Sequence, residues 1–332
     1  MKRLTVCSTA LIVVSSAATP ADFPAKKSPV APPVSDITFE VGAKYDFTKH
    51  STKLKSHHNQ LNGGETSATL GWNSIYSHGI EINGKISSQT LGVYSKGAVK
   101  INKSSNKSGE MRDTDYVSST GVTFADSTSS AELSKGTKFN LNVGKDFYFD
   151  KIKFSPFVGW YYSKARMEAF GLTWLPVGDP SYYAANNLTL GNFVSNSVRD
   201  MTYETIINAP RFGASFNIPV SDRIALNFEP VLMPFAGIRL NDWHHLTPDK
   251  VHDDIPNLIS KKTGIGYSAD VSVSYKIHNN MNFELGLNFS EFVMKNADTT
   301  NRMVSGTTFM RDNVKELKIS DMGITSGIKY KF

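Results

Sequence analysis

From Ile37 onward the chain alternates apolar and polar residues with a period of two, in runs often ten residues or more long. Ile37, Phe39, Val41, Ala43, Tyr45 and Phe47 are separated by Thr38, Glu40, Gly42, Lys44, Asp46 and Thr48. Successive side chains of an extended strand point to opposite faces, so such a segment has one greasy and one wet face. The pattern recurs at Phe139–Phe149, Tyr267–Tyr275 and Phe283–Phe289. It returns at the end, where Met322, Ile324, Ile328, Tyr330 and Phe332 occupy even positions.

Two architectures make this pattern. A sandwich buries the greasy face in a core. A transmembrane barrel turns it to lipid and keeps the polar face in the lumen. The runs exceed the five or six residues usual for strands, and the chain ends on an aromatic residue, as outer-membrane barrels do. The connections alternate in length. Phe149–Lys151, Ile218–Arg223 and Ile277–Met281 are short. Lys49–Glu65, Ser104–Gly136, Gly171–Asp200, Trp243–Lys262 and Lys295–Val314 are long and polar. Short periplasmic turns opposite long external loops are the asymmetry of such barrels. The reading is an all-β, ten-stranded antiparallel transmembrane β-barrel with long extracellular loops. Its strands fall near 37–48, 66–77, 79–87 continuing to 103, 137–149, 152–170, 200–217, 222–241, 263–277, 280–294 and 315–332. The glycines at 79, 84, 92 and 97 blur the turn between the second and third.

The segment before Ile37 reads differently. Lys2 and Arg3 precede the mostly apolar run Leu4–Val14, followed by the small residues Ser16-Ala17-Ala18. This is the layout of a secretory signal peptide, expected over residues 1–18 with 21 as its outer limit. Cys7 is the single cysteine, so no internal disulfide is possible. Five prolines between Thr19 and Ser35 indicate a disordered lead-in, which leaves 36–332 for the barrel. The net charge of +6 is spread along the chain without a basic run, which argues against a nucleic-acid partner. No stretch approaches the roughly 18 apolar residues of a transmembrane helix.

Chemistry is expected on the outer segments, which carry His50, His57, His58, His244, His245 and His252 together with acidic groups, among them Asp253 and Asp254. Most of these suit a polar surface and nothing more. No spacing matches a zinc site, and adjacent histidines on a strand face opposite ways. One constellation stands apart. Asp113 and Asp115 follow the third ring position, and Asp242 and His244 end the seventh. Both positions run outward and stand four apart in a ring of ten, so their tops face each other across the mouth. Asp242 and His244, at i and i+2, share a side. The carboxylate can orient the imidazole, which can take a proton from water. Asp113 and Asp115, again i and i+2, can hold a water and face a developing oxyanion.

These residues resemble the omptins, ten-stranded outer-membrane endopeptidases with an Asp-x-Asp and an Asp-x-His pair. Gly109–Tyr116 is similar to the family's first motif and Asp242-Trp243-His244 to its second. Gly159–Lys164, Ala169-Phe170-Gly171 and the ending Ser326–Phe332 are similar as well. The resemblance implies an endopeptidase of external peptides and proteins in the bacterial outer membrane. Asp113, Asp115, Asp242 and His244 would be catalytic, without a metal or acyl-enzyme. Lys164 matches a lipopolysaccharide-binding position, which implies lipopolysaccharide as a partner and a candidate accessory to activity, with no cofactor besides. Departures accompany it: the family's second pocket acid has no counterpart near Leu54 and Lys55, and Tyr162 stands where the family has a glutamate. Leu240 stands where the family has a pocket acid for basic side chains. Phe124–Ser127 lacks the His-Pro of the corresponding family stretch. Ile206 falls near a second basic position. A non-enzymatic porin-like or adhesin barrel is the alternative that shares the fold.

Overall fold

The computed structural model describes residues 36–59, 65–117, 120–176, 194–246, 256, 258–302 and 308–332. The expected signal peptide and lead-in, and His252, Asp253 and Asp254, lie outside the described residues.

Among the described residues, twelve strands form one antiparallel sheet. They are β1 (Ile37–Asn59), β2 (Glu65–Ser88), β3 (Val93–Lys103), β4 (Gly109–Val117), β5 (Thr123–Lys145), β6 (Phe147–Phe149), β7 (Ile152–Trp174), β8 (Val194–Pro219), β9 (Ile224–His244), β10 (Leu258–His278), β11 (Met281–Arg302) and β12 (Thr308–Lys331). β1 pairs with both β2 and β12, which closes the ring. β3 and β4 each pair with β2 and β5 at different heights, so they are one ring position interrupted at 104–108. β6 continues β5 past Asp146 and pairs with β7. The ring therefore has ten positions, as expected, and closure leaves no open edge.

The second and third positions differ from expectation. Residues 65–88 are one strand, with no turn at Gly79, and the reversal falls at 89–92. Gly92 takes φ +65° there, a conformation that suits glycine. The outer segments expected as long loops are largely strand too: β1 runs on to Asn59, β4 and β5 fill most of 104–136, and β11 reaches Arg302. About 9–11 residues cross a bilayer, and strands of 21–26 residues rise well beyond it. Above the lipid the outer face meets water, and the inner face packs against itself. The same alternation then reads polar outside and apolar inside, which resembles a polar loop in sequence.

The burial pattern distinguishes barrel from sandwich. In the lower half the greasy face is outermost: Phe39, Val41, Ile80, Ile82, Leu285 and Ile324 are exposed, while Asp46, Thr48 and Asn142 are buried. In the upper half the order inverts. Trp72, Ile75, Met111, Leu133, Met167, Tyr203, Ile238, Leu240, Phe292, Met294 and Leu317 form one apolar cluster drawn from walls all around the barrel. Gly266 lets the Phe292 ring into this layer, since a Cβ there would overlap it. The layer stands across the lumen. Beneath it lies a cavity of about 520 Å³ whose lining includes basic side chains and carboxylates, among them Lys44, Lys96, Arg211, Glu229 and Glu284.

Charges in this lower lumen are bracketed. Glu284 meets Lys44 at 3.1 Å and Lys329 at 2.6 Å, and Asp146 meets Lys85 at 3.6 Å and Lys153 at 2.7 Å. At the β1–β12 seam Lys138 Nζ donates to Asp321 Oδ2 at 2.7 Å, and His50 Nδ1 lies 2.6 Å from Asp321 Oδ1. His50 Nε2 lies 2.6 Å from Ser77 Oγ. These are the residue types of a hydrolase triad, but Ser77 is fully enclosed, so the group acts as a lock on the seam. His50, expected on an outer loop, is thus a lumen residue.

The end of the chain is held in the same seam. The Phe332 N–H donates to Phe39 O at 2.8 Å, and its ring meets Tyr330 edge-on at 4.8 Å between centroids. Deleting Phe332 removes this bond and one anchor of the aromatic girdle. The expected result is impaired assembly, measured as a smaller heat-modifiable fraction in outer-membrane preparations. Full assembly of the truncated chain would contradict it.

Candidate active site

The site residues sit on the parts of the strands that rise above the lipid. On β4, Asp113 lies between Leu70 of β2 and Ser127 of β5, and Asp115 between Ala68 and Ala125. All four neighbours are buried. Cross-strand neighbours share a face, so both aspartates point inward. On β9, Asp242 pairs with Tyr203 and His244 with Met201 of β8, again buried inward-facing residues. Alternation carries Leu240, Asp242 and His244 to one side.

Asp242 and His244 meet. His244 Nε2 lies 3.2 Å from Asp242 Oδ2, with the Asp242 side chain 4% and the His244 side chain 22% exposed. Asp242 Oδ1 is buried without a hydrogen-bond partner among the described residues. A buried carboxylate oxygen is costly to leave uncompensated. The carboxylate is placed to orient the imidazole, which can accept a proton from water. His245 points elsewhere, with Nε2 2.9 Å from Thr202 Oγ1, as expected of its neighbour on a strand.

The two halves are brought together by contacts across the barrel. Trp72 of β2 is the cross-strand neighbour of Met111, two residues before Asp113. Tyr203 of β8 is the neighbour of Asp242. Their rings lie 5.5 Å apart between centroids, so the walls bearing the two pairs close over one apolar floor. A second bridge is polar: Ser129 Oγ donates to Asp200 Oδ2 at 2.9 Å. Ser129 is the cross-strand neighbour of Met111, and Asp200 immediately precedes Met201. Burial pushes the Asp200 carboxyl up. The Ser129 hydrogen bond and the nearby His244 charge oppose this, and Asp242 adds to it.

Asp200 lies beside the candidate site and is a residue that sequence reasoning missed. It lies where a long loop was expected to meet a strand, and no local motif marks it. Only the bulged pairing of β7 with β8, where Ala169 opposes Met201 and Phe170 opposes Arg199, turns it into the mouth. Around the first pair, Arg112 forms a two-pronged bond to Asp126, with Nε–Oδ1 3.0 Å and NH2–Oδ2 2.6 Å, and Thr114 donates to the same carboxylate at 3.0 Å. These contacts fix the β4–β5 corner from the side opposite the mouth.

Leu240 is 3% exposed and belongs to the apolar floor, so the β9 position below Asp242 carries an apolar side chain and not an acid. Lys164 faces outward, 3.0 Å from Glu204. Across β8 it pairs with Ile206, which pairs in turn with Arg239 of β9. Exposed Arg239 therefore lies one strand over from Ile206 on the same outer face. Arg166 lies over the Trp243 ring at 5.7 Å on the same outer face.

A family model described as "Protochlamydia outer membrane protein" matches residues 38–332. No curated protein matches the sequence. The fold is similar to that of the outer membrane protease OmpT from Escherichia coli, with a TM-score of 0.69 and 16% identity over 88% of this chain and 97% of that one. Neisserial surface protein A aligns over 89% of this chain and 97% of its own at 11% identity, with a TM-score of 0.29. OprG from Pseudomonas aeruginosa aligns at 9% identity over 89% and 95% of the two chains, also with a TM-score of 0.29.

Proposed function

The chain belongs to the Protochlamydia outer membrane protein family, and from that premise we propose that this outer-membrane barrel is an endopeptidase with its active site at the outer rim. The observation that carries the reading is the inward-facing Asp242–His244 pair, 3.2 Å apart with the carboxylate enclosed, opposite the inward-facing Asp113 and Asp115. The similarity of fold to a known outer-membrane protease is consistent with it.

In this mechanism His244 takes a proton from water as the water attacks the scissile carbonyl. Asp242 stabilises the resulting imidazolium. Asp113 and Asp115 share a mouth-facing strand face, where like charges favour retention of a proton between them. They position the water and donate to the tetrahedral oxyanion. The imidazolium then returns its proton to the leaving amine. Substrates are external peptides or exposed protein segments lying across the mouth. Lys164 and Arg239 hold lipid phosphate on the outer wall, with Trp243 and Arg166 beside them. Lipopolysaccharide bound there would brace β7–β9 and so support activity.

A porin-like role requires a continuous aqueous path. The apolar layer formed by Trp72, Met111, Tyr203, Ile238, Phe292 and Leu317 stands between the mouth and the lower cavity and opposes it. Incubating purified, refolded protein with a mixed peptide library separates the readings. Specific cleavage supports the enzyme. Ion conductance in planar bilayers without cleavage supports the channel.

The same library tests specificity. With Leu240 and not an acid at the β9 position below Asp242, the expected outcome is little preference for Arg or Lys before the cut bond. Leu240→Glu should raise that preference about tenfold or more, as a new buried carboxylate pairs with a basic side chain. Cleavage by the native protein only after Arg or Lys would refute this.

A further inference from the structure

We propose that Asp200 is a positioning residue of the same centre, a second carboxylate that holds the His244 end of β9 and favours the imidazolium formed when His244 takes its proton. The inference rests on the endopeptidase reading above, because it assigns His244 the role of base.

Two bonds place Asp200. Its main-chain carbonyl accepts the His245 N–H at 2.8 Å, one residue beyond His244, where β9 ends. This ties the residue that follows His244 to β8 and limits fraying of the strand end that carries the base. Its side chain accepts from Ser129 at 2.9 Å, and Ser129 neighbours Met111 beside Asp113. A single residue therefore links the wall that carries His244 to the wall that carries the aspartate pair.

The electrostatics act in the same sense. Asp200 is 7% exposed, so its charge is poorly screened. The groups facing it are Asp242 and His244 from β9 and Ser129 from β5. Asp113 and Asp115 face the same mouth from β4. Arg199, Arg166 and Glu168 pair on the outer wall at 3.2–3.5 Å. Among these, His244 supplies the positive charge that answers Asp200, while Asp242 competes for it. The base must be neutral to act, so a carboxylate beside it raises the pH at which activity appears and strengthens proton capture.

The test uses full-length, heat-modifiable protein in detergent and two readouts. One is the pH profile of kcat/KM on a fluorogenic peptide, and the other is the NMR titration of the His244 ring. Asp200→Asn should move the acid limb and the His244 titration to lower pH by about one unit. The plateau should fall about tenfold with KM little changed. Ser129→Ala should move both in the same direction by less, because Asp200 loses the bond that favours its charged form. It also serves as the test if Asp200→Asn does not fold. A folded Asp200→Asn protein whose His244 titration stays in place overturns the inference. A native protein that cuts nothing, yet shows the titration shift, keeps the Asp200–His244 pairing and sinks the endopeptidase reading instead.

Discussion

Replacing His244 by Ala is expected to lower peptide turnover by about 10²–10⁴, the usual loss when a positioned general base is removed. Asp242→Asn should cost a comparable factor. It keeps the shape of a side chain that is almost fully enclosed, but it removes the charge that answers the imidazolium and can fix the wrong tautomer. Its acid limb should also move to lower pH, since a cation without its carboxylate loses its proton more readily. His245→Ala is the internal control. Its ring bonds Thr202 and should change turnover far less. The measurement is turnover by folded protein over a pH range, with heat-modifiable migration confirming the fold. Full activity in His244→Ala would exclude the mechanism. Loss only in His245→Ala would place the base one residue on.

Asp321→Asn should cost about 3–5 kcal/mol of stability, the range for breaking one partner out of a buried ion pair. Asp321 receives Lys138 at 2.7 Å and His50 at 2.6 Å, with the Lys138 side chain only 18% exposed. The amide answers neither charge; Asp321 and His50 lie on β12 and β1, the pair that closes the ring, and Lys138 reaches Asp321 from β5. Urea unfolding in detergent, followed by tryptophan fluorescence, reads the change. A double change of Asp321→Asn with Lys138→Met should recover much of it, because removing both charges avoids the uncompensated cation. Unchanged stability in the single variant would show that solvent reaches the seam.

The barrel was readable because it rests on a local rule. In lipid every backbone polar group must be paired and every outward side chain must be apolar, so each spanning strand carries the period-two pattern in its own residues. Ile80, Ile82 and Ile86 announce themselves one strand at a time. The Asp113/Asp115 and Asp242/His244 pairs were readable for a similar reason, since spacing i and i+2 puts two side chains on one face of any strand.

What the linear order could not convey is whatever depends on distant walls. The extent of β4, β5 and the upper parts of β1 and β11 was hidden, because above the membrane the solvent outside is water and the alternation reverses its meaning. Asp200 has no motif, and it joins the site only through a bulge in β8 and a hydroxyl from β5. Arg239 comes to lie beside Ile206 on the outer face only through the pairing of β8 with β9. The Trp72–Tyr203 contact, between residues 131 positions apart on opposite walls, closes the floor beneath both pairs. The sequence by itself determined which residues face lipid, because that choice is made residue by residue against a uniform solvent. Only the tertiary structure decided which inward side chains share the mouth and that an apolar layer packs beneath them, because those outcomes depend on how ten strands close upon one another.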